Sequence, residues 1–299
     1  MSPQPGYGPL TIPRYLGISR PWGATAPAVS QNVRVRAVLI TVIVTVVALA
    51  AAAVGVDFGA AIYAEYHVAR TVRSEAGLSF DPWVGIIGFP FIQQALTHRY
   101  NQVEFRANGV EHARVGQASL EATLHSVDLT HASWLFRPAA PAQVGKVESR
   151  IIIDSTHLGR FMGINDLMVE APSNQTNDAT GGTTESGISS STGLVFTGTP
   201  KSADFHKRVS VLVDLSTAGP DNSSLVFTAT GVTTAAGTAD QQVPADKMDA
   251  VLAAFTTALP GQRLPFGVAP THEGARGSDV IIEGIAQGVT VALDQFRQS

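Results

Sequence analysis

The longest apolar run of the chain covers residues 37–56, where twenty consecutive residues carry no charge. An α-helix needs about 20 apolar residues to cross a hydrocarbon core of roughly 30 Å. Thr41 and Thr45 interrupt the run, but a threonine hydroxyl in a helix can bond a backbone carbonyl one turn back. Buried helices of soluble proteins are usually shorter and have a polar face. The pattern therefore predicts one transmembrane helix over residues 37–57.

Helical spacing continues beyond this run, over residues 57–76, with a polar face that contains Tyr63, Tyr66, Arg70 and Arg73. Glu65 and Glu75 are exceptions on the apolar side. The apolar face consists of Phe58, Ala61, Ile62, Ala64, Val68, Ala69, Val72 and Ala76.

Three more helices are predicted in the rest of the chain. Pro90 opens a short helix whose inner residues are Phe91, Ile92, Ala95 and Leu96. A second short helix covers residues 155–162. The strongest pattern covers residues 245–259, with apolar side chains at intervals of three and four.

Elsewhere the period of the apolar positions is two. Strict alternation of apolar and polar residues is typical of strands with one buried and one solvated face, and therefore of antiparallel sheets. The class predicted is α+β, with one large curved antiparallel sheet and a few helices against its concave face. The alternating segments are residues 103–107, 120–124, 147–153, 209–215, 225–229 and 289–293.

Two polar segments complete the organisation of the chain. Residues 1–36 are rich in Pro, Gly, Ser and Ala without a periodic apolar face, and we expect a disordered cytoplasmic tail. Residues 171–192 are rich in Ser, Thr, Asn and Gly, which predicts a flexible insertion within the outer domain, residues 58–299.

Charge orients the apolar run. Residues 1–36 contain four arginines and no acidic residue, whereas the remaining chain has 16 basic and 24 acidic residues, a net charge of −8. Positive charge at one end of a span holds that end in the cytoplasm. We expect a single-pass protein of the cytoplasmic membrane with its N-terminus inside and its main domain in the periplasm or cell envelope. A cleaved signal peptide is the alternative, but a 36-residue leader and a 20-residue apolar core are long for one.

The sequence contains none of the common catalytic or nucleotide-binding motifs. There is no GxSxG, P-loop, GxGxxG or HExxH, the eight histidines lack metal-ligand spacing, and there is no cysteine. We predict no catalytic residue, no metal site and no cofactor. The net negative outer domain and its compartment exclude nucleic acid as a partner.

Three segments carry a resemblance to a known family. They read EAGLSFDPWVGIIGFPFIQQALTHRY, NQVEFRANGV and KVESRIIIDSTHLGRFMGINDLMVEAP. Together they resemble the LmeA-like family of actinobacterial, including mycobacterial, cell-envelope proteins, over roughly residues 63–171 and 207–293. In that family a GFPF-type motif, here residues 88–91, precedes the first strand pair, and a late helix leads into a final hairpin, here residues 264–266 and 280–293.

The resemblance implies a non-enzymatic membrane protein that binds a phospholipid or glycophospholipid, notably phosphatidylinositol. It also implies support of mannan elongation, and so of mannan chain length, during lipomannan and lipoarabinomannan synthesis. The fold implied is tubular, with a curved sheet wrapped on a long helix around an apolar groove.

A lipid site follows from this hypothesis as an expectation about residue types. Arginines would meet the headgroup phosphate, because a guanidinium matches phosphate oxygens bidentately. The candidates are Arg70, Arg73, Arg99 and Arg106. Apolar residues would line or gate the groove, and here the candidates are Phe80, Trp83, Phe89, Phe91, Ile92, Trp134 and Phe136.

Two other functions stay open at this point. One is an accessory subunit that holds a membrane mannosyltransferase through the span or the domain. The other is an envelope enzyme acting on glycans, which would need a convergent acid and base in a cleft.

Overall fold

A computed structural model describes most of the chain. The predicted tail lies outside the described residues up to residue 29, and the predicted insertion lies outside them apart from Ala171. The described residues are 30–112, 115–130, 133–134, 137, 140–171, 193–219, 224–234, 242–260 and 264–297.

The first helix, α1, runs without interruption over 47 residues, Ser30–Ala76. It therefore joins the predicted span and the amphipathic segment after it in one element. Contacts divide the chain into two units, Met1–Ala53 and Val54–Ser299. Within the described residues, α1 is the one helix long and apolar enough to cross a bilayer, and its position near the N-terminus also fits a signal sequence.

The second unit contains the end of α1 and every other helix and strand. In chain order these are β1 Trp83–Ile87, α2 Phe91–Thr97, β2 Arg99–His112, β3 Gly116–Asp128, β4 Ala142–Asp154, α3 Ser155–Met162, β5 Met168–Glu170, β6 Gly193–Gly198, β7 Val209–Ala218, β8 Ser224–Thr233, α4 Met248–Phe255, β9 Thr257–Leu259, β10 His272–Arg276 and β11 Asp279–Val291. Short 3₁₀ helices cover Lys201–Ala203, Ala245–Lys247, Pro265–Gly267 and Leu293–Gln295.

The strands form two antiparallel sheets, of six strands in the order β1-β2-β3-β4-β11-β10 and of five in the order β5-β6-β7-β8-β9. The α+β class is confirmed, but the single curved sheet wrapped on a long helix is wrong. Over the described residues the strands form two separate ladders, neither of them closed or curled. The reason is that β4 bonds β3 on one side and β11 on the other, so β5 pairs with β6 and begins a second sheet.

One hydrophobic core serves both sheets. Phe105 of the six-stranded sheet packs against Phe266 and Phe296, with ring centroids 5.6 and 5.5 Å apart. Phe196 and Phe227 of the five-stranded sheet are 5.4 Å apart, and all five rings belong to the same buried cluster. The two ladders are therefore layers of one body.

Several element predictions need correction at their ends. The helix predicted over residues 245–259 is only two turns of α-helix, because Leu259 ends strand β9 and pairs with Leu225. The segment at residues 264–266 is the N-cap and first two residues of a 3₁₀ helix, and the final hairpin is β10 with β11. In α2 the buried residues are Phe91 and Gln94, so the inward assignment of Ile92 and Leu96 is wrong.

The outer half of α1 confirms most of its predicted apolar face. Ala64, Val68 and Val72 are buried, together with Ala69 and Ala76. The residues nearest the apolar run behave differently, since Phe58 and Ile62 are exposed. Helical period alone placed them inward, but the sheet begins to cover the helix only one turn later.

Candidate functional site

An apolar pocket lies where the end of α1 meets the first strands of the six-stranded sheet. Its cavity volume is about 40 Å³, room for about three water molecules or a short length of hydrocarbon. Its lining comes from α1, β1, β2 and the segment that follows β3, and consists of Ala64, Val68, Ile86, His98, Tyr100, Val103, Leu129, Ser133 and Trp134.

Small and branched side chains on α1 leave this space open. Ala64 and Val68 are one turn apart on the face toward the sheet, and both are buried. On the far wall, Trp134 is 3% exposed, and its indole Nε1 donates a hydrogen bond to the Ala140 carbonyl at 3.1 Å. This bond satisfies the single polar atom of the ring, so its carbon atoms face the cavity without a desolvation cost.

Three polar side chains stand at the pocket: His98, Tyr100 and Ser133. Burial raises the pKa of the Tyr100 phenol, so at neutral pH this group is a neutral hydrogen-bond donor and acceptor. His98 ends α2 in the left-handed region, with φ of 55°, and its carbonyl accepts from the Leu129 amide at 2.8 Å. This bond ties two pocket residues together across the start of the sheet.

The structure brings only part of the predicted aromatic set to this pocket. Trp134 lines it, and Phe91 lies behind it with its ring 6.3 Å from that of Tyr100. Phe80 packs half-buried against the core. Phe89 and Ile92 are exposed, and Phe136 lies outside the described residues.

Trp83 is on the other side of the sheet. Its neighbour in the strand, Val84, points into the core, so Trp83 points outward and is 51% exposed. Its ring lies against Gly85, where a Cβ would approach to 2.5 Å, and the Arg106 guanidinium stands 4.8 Å from its centroid. This cation–π pair joins two predicted site residues at a distance from the pocket.

The four predicted headgroup arginines are not brought together. Arg73 pairs with Asp81 at 3.3 Å, Arg99 with Asp128 at 3.3 Å, and Arg106 with Glu104 at 2.8 Å. Arg70 donates to the Tyr66 hydroxyl at 3.2 Å and stacks on the same ring. Arg99 is the one nearest to the pocket in the chain, between His98 and Tyr100, but alternation along β2 directs its side chain to the face opposite Tyr100, where it is 72% exposed.

Charged residues also converge on the outer face of the six-stranded sheet. In register, Arg106 faces Glu121, Glu121 faces Arg150, and Arg150 faces and bonds Glu283. We call these four residues, with Lys146 and Glu148 beside them, the charge ladder. Opposite charges alternate along it, which is the favourable arrangement for cross-strand neighbours.

Glu148 shows what this arrangement does to a carboxylate. Burial opposes its ionisation, but the hydrogen bond and charge of Lys146, with the charges of His125 and Arg150, outweigh burial and lower the pKa of Glu148. An ionised carboxylate cannot donate a proton at neutral pH. The described residues contain no group of three or more His, Asp or Glu side chains with the geometry of a metal site.

Two acidic residues that fasten the pocket's surroundings were not identified from the sequence. Asp57 is 5% exposed and accepts from the amides of Phe91 and Ile92 at 2.8 and 2.7 Å, so it caps α2 from α1. Glu65 accepts from the Ile86 amide at 2.8 Å and ties α1 to strand β1. A carboxylate on an otherwise apolar helix face was the available signal for Glu65.

Comparison with known proteins assigns this architecture to a family. A profile described as LmeA-like phospholipid-binding matches residues 55–285, which include the pocket, the charge ladder and both sheets up to the middle of β11. The chain belongs to the LmeA-like phospholipid-binding family. The resemblance inferred from the sequence is thereby confirmed, and phospholipid binding is the activity of this family. No curated protein and no solved structure gives a match.

Proposed function

We propose that this protein is a membrane-anchored, non-enzymatic envelope protein that takes the end of a phospholipid acyl chain into the pocket between α1 and the six-stranded sheet. The observation that carries the proposal is the pocket itself, since it is walled by apolar side chains and lies within the residues matched to a phospholipid-binding family. A cavity of about 40 Å³ takes a chain end and leaves the rest of the lipid outside.

The headgroup of such a lipid lies near the polar side of the pocket. Arg99 is the first choice among the predicted arginines, because it is adjacent in the chain to two pocket residues and its long side chain is exposed. A phosphate there competes with Asp128 for the guanidinium. Arg70, Arg73 and Arg106 remain predicted headgroup contacts and are ranked after Arg99.

The resemblance to the family suggests which lipid is bound and which biosynthetic process the protein serves. We propose a phosphatidylinositol-type lipid as the ligand and mannan elongation in lipomannan and lipoarabinomannan synthesis as the process. A membrane mannosyltransferase is then the natural protein partner. The apolar run over residues 37–56 would act as an uncleaved anchor, with the N-terminus inside and the main domain in the cell envelope.

Filling the pocket tests the lipid site. The Ala64→Leu side chain occupies the cavity, whereas Ala60→Leu makes the same change one turn earlier on α1, outside the pocket lining. Losing two or three buried methylenes, at about 0.8 kcal/mol each, weakens binding by about 2 kcal/mol, roughly thirtyfold. Tryptophan fluorescence of the full chain, titrated with short-chain phosphatidylinositol, measures the dissociation constant.

The comparison of the two variants decides the result. Ala60→Leu is expected to bind as the unaltered chain does, and Ala64→Leu much more weakly. Equal affinities of the two variants would place the lipid elsewhere. Phosphatidylcholine of the same chain length serves as the headgroup comparison, and equal binding of both lipids would contradict the inositol preference but not the pocket.

A further inference from the structure

A group of large apolar side chains is exposed at the beginning of the second unit, apart from the pocket. We call it the interfacial patch, and it consists of Phe58, Ile62, Phe89, Ile92 and Leu96. Their exposed fractions are 58%, 64%, 61%, 38% and 77%. Clusters of exposed apolar side chains are uncommon on soluble surfaces and mark sites of protein or membrane interaction.

The patch is continuous across two helices. Phe58 and Ile62 are one turn apart on α1, and Ile92 and Leu96 are one turn apart on α2. The Phe58 and Phe89 rings stack with their centroids 6.2 Å apart and join the two halves.

A buried carboxylate fixes this arrangement. Asp57 accepts from the Phe91 and Ile92 amides, and it precedes Phe58 in α1. The start of α2 is therefore held beside the turn of α1 that carries Phe58. The exposed side chains are thus presented from an ordered frame, because the group that positions them is 5% exposed and bonded at both oxygens.

We propose that the interfacial patch inserts into the hydrocarbon boundary of the lipid bilayer, so that the domain contacts the membrane through its own side chains. Phe58 lies two residues beyond the end of the apolar run at residue 56, the length of which suits a bilayer span. Tyr63 and Tyr66 follow, both exposed, and tyrosine is enriched where a protein crosses from hydrocarbon to water.

A second copy of the chain is the less suitable occupant. Stable interfaces between proteins use roughly 20 to 30 residues on each side. The patch has five apolar side chains, and the polar Tyr63 and His67 stand on the same helix immediately beyond it. Insertion into lipid needs no complementary surface and suits a small apolar cluster with a polar border.

Insertion of the patch also gives the pocket access to lipid. Ala64 and Val68 follow Phe58 on α1 by about 9 and 15 Å at 1.5 Å per residue. An extended acyl chain is about as long as one leaflet is deep, about 15 Å of a core of roughly 30 Å, so a chain that leaves the membrane at the patch is long enough to cover that distance. A lipid at the patch therefore reaches the pocket with one acyl chain without leaving the membrane completely. This consequence rests on the proposed function, whereas the insertion of the patch does not depend on the pocket.

The chain lacks cysteine, so single thiols can be placed in it without other changes. Phe89→Cys and Leu96→Cys report on the patch, and Leu212→Cys is the matched control, an exposed apolar residue on the five-stranded sheet. Val46→Cys reports separately on the apolar run. Each full-length variant carries a nitroxide label and is reconstituted into phosphatidylcholine vesicles. Collisions with oxygen and with a water-soluble nickel chelate measure the depth of each label.

The expected oxygen-to-nickel collision ratio is several-fold higher at positions 89 and 96 than at position 212. A ratio at 89 and 96 equal to that at 212 overturns the proposal. Labels shielded from both reagents, with spin broadening that disappears on dilution with unlabelled chain, overturn it in favour of a second copy. The label at position 46 tests the anchor independently of the patch. A high collision ratio at position 46 with low ratios at 89 and 96 would support the anchor and overturn the insertion of the patch.

Discussion

Asp57 shows how a single side chain can position a functional surface. It is the first charged residue after twenty uncharged ones, and from the sequence it looks like the simple end of an apolar run. In the structure its carboxylate accepts two backbone amides that would otherwise be unpaired at the start of α2. The acid is therefore a cap that acts between elements 34 residues apart in the chain.

Removing this cap is predicted to loosen α2. Asp57→Ala leaves two partly buried amides without acceptors, which costs about 1–3 kcal/mol, or a roughly five- to 150-fold increase in the opening of α2. Hydrogen exchange at the Phe91 and Ile92 amides of the full chain measures the change. Glu75→Ala is the control, since Glu75 is on the same helix and has no hydrogen bond among the described residues; comparable acceleration in that variant would contradict the assigned role of Asp57.

At the scale of residues, the sequence indicates which side chains are aromatic or charged but not which of them meet in the folded chain. Trp134, one of the residues predicted for a lipid groove, lines the pocket in the structure. Trp83 was placed there as well and lies on the outer face beside Arg106. Which face of a strand is buried depends on the register of its partner, and β1 is too short to show that register in its own pattern.

At the scale of elements, alternation of apolar and polar residues located most of the long strands. Segments in β3, β4, β7, β8 and β11 alternate because one face is buried and the other is wet. The division into two sheets was not predictable in this way, because the pairing of β4 with β11 joins residues more than a hundred positions apart. Strand β9 escaped notice because its residues also fit the period of the helix before it.

The charge ladder gives the six-stranded sheet a dependence on acid. Glu148→Gln removes a carboxylate bonded to Lys146 at 2.7 Å and to Arg150 at 3.3 Å. At neutral pH we expect a loss of about 1.5–3 kcal/mol of unfolding free energy, the usual value of hydrogen bonds to charged groups. Because the pKa of Glu148 is lowered in the folded state, its contribution is complete above the unfolded pKa and is lost as the pH falls through the folded one.

The difference in unfolding free energy between the unaltered protein and Glu148→Gln should therefore shrink below about pH 4.3, the ordinary pKa of glutamate, and disappear at lower pH. Denaturant unfolding at several pH values measures it. Glu111→Gln is the matched control, an exposed glutamate on β2 for which the described residues offer no ion pair. A loss from Glu148→Gln that persists unchanged in acid would show that shape, not charge, is the important property of this side chain.

At the scale of the whole molecule, the apolar run fits either a membrane anchor or a signal sequence. An uncleaved anchor predicts that the mature chain keeps residues 1–36 and stays in the membrane fraction after an alkaline wash. Val46→Arg places a charge at the centre of the run, which costs about 2.5–3.5 kcal/mol on insertion scales, and should release or destabilise the chain. Intact mass shows whether residues 1–36 are retained, and fractionation shows whether the unaltered chain and Val46→Arg stay with the membrane. A mature N-terminus at residues 50–53 would identify a signal peptide instead.

The hydrogen bond between Glu65 and strand β1 has a consequence for aggregation. An outer strand of a sheet offers unpaired backbone groups to which a neighbouring molecule can add its own strand, and this is a common beginning of aggregation. In β1 one such amide, that of Ile86, is already taken by α1. The other outermost strands, β5, β9 and β10, have only three, three and five residues. Among the described residues, the two sheets therefore offer neighbouring molecules little exposed strand backbone on which to polymerise.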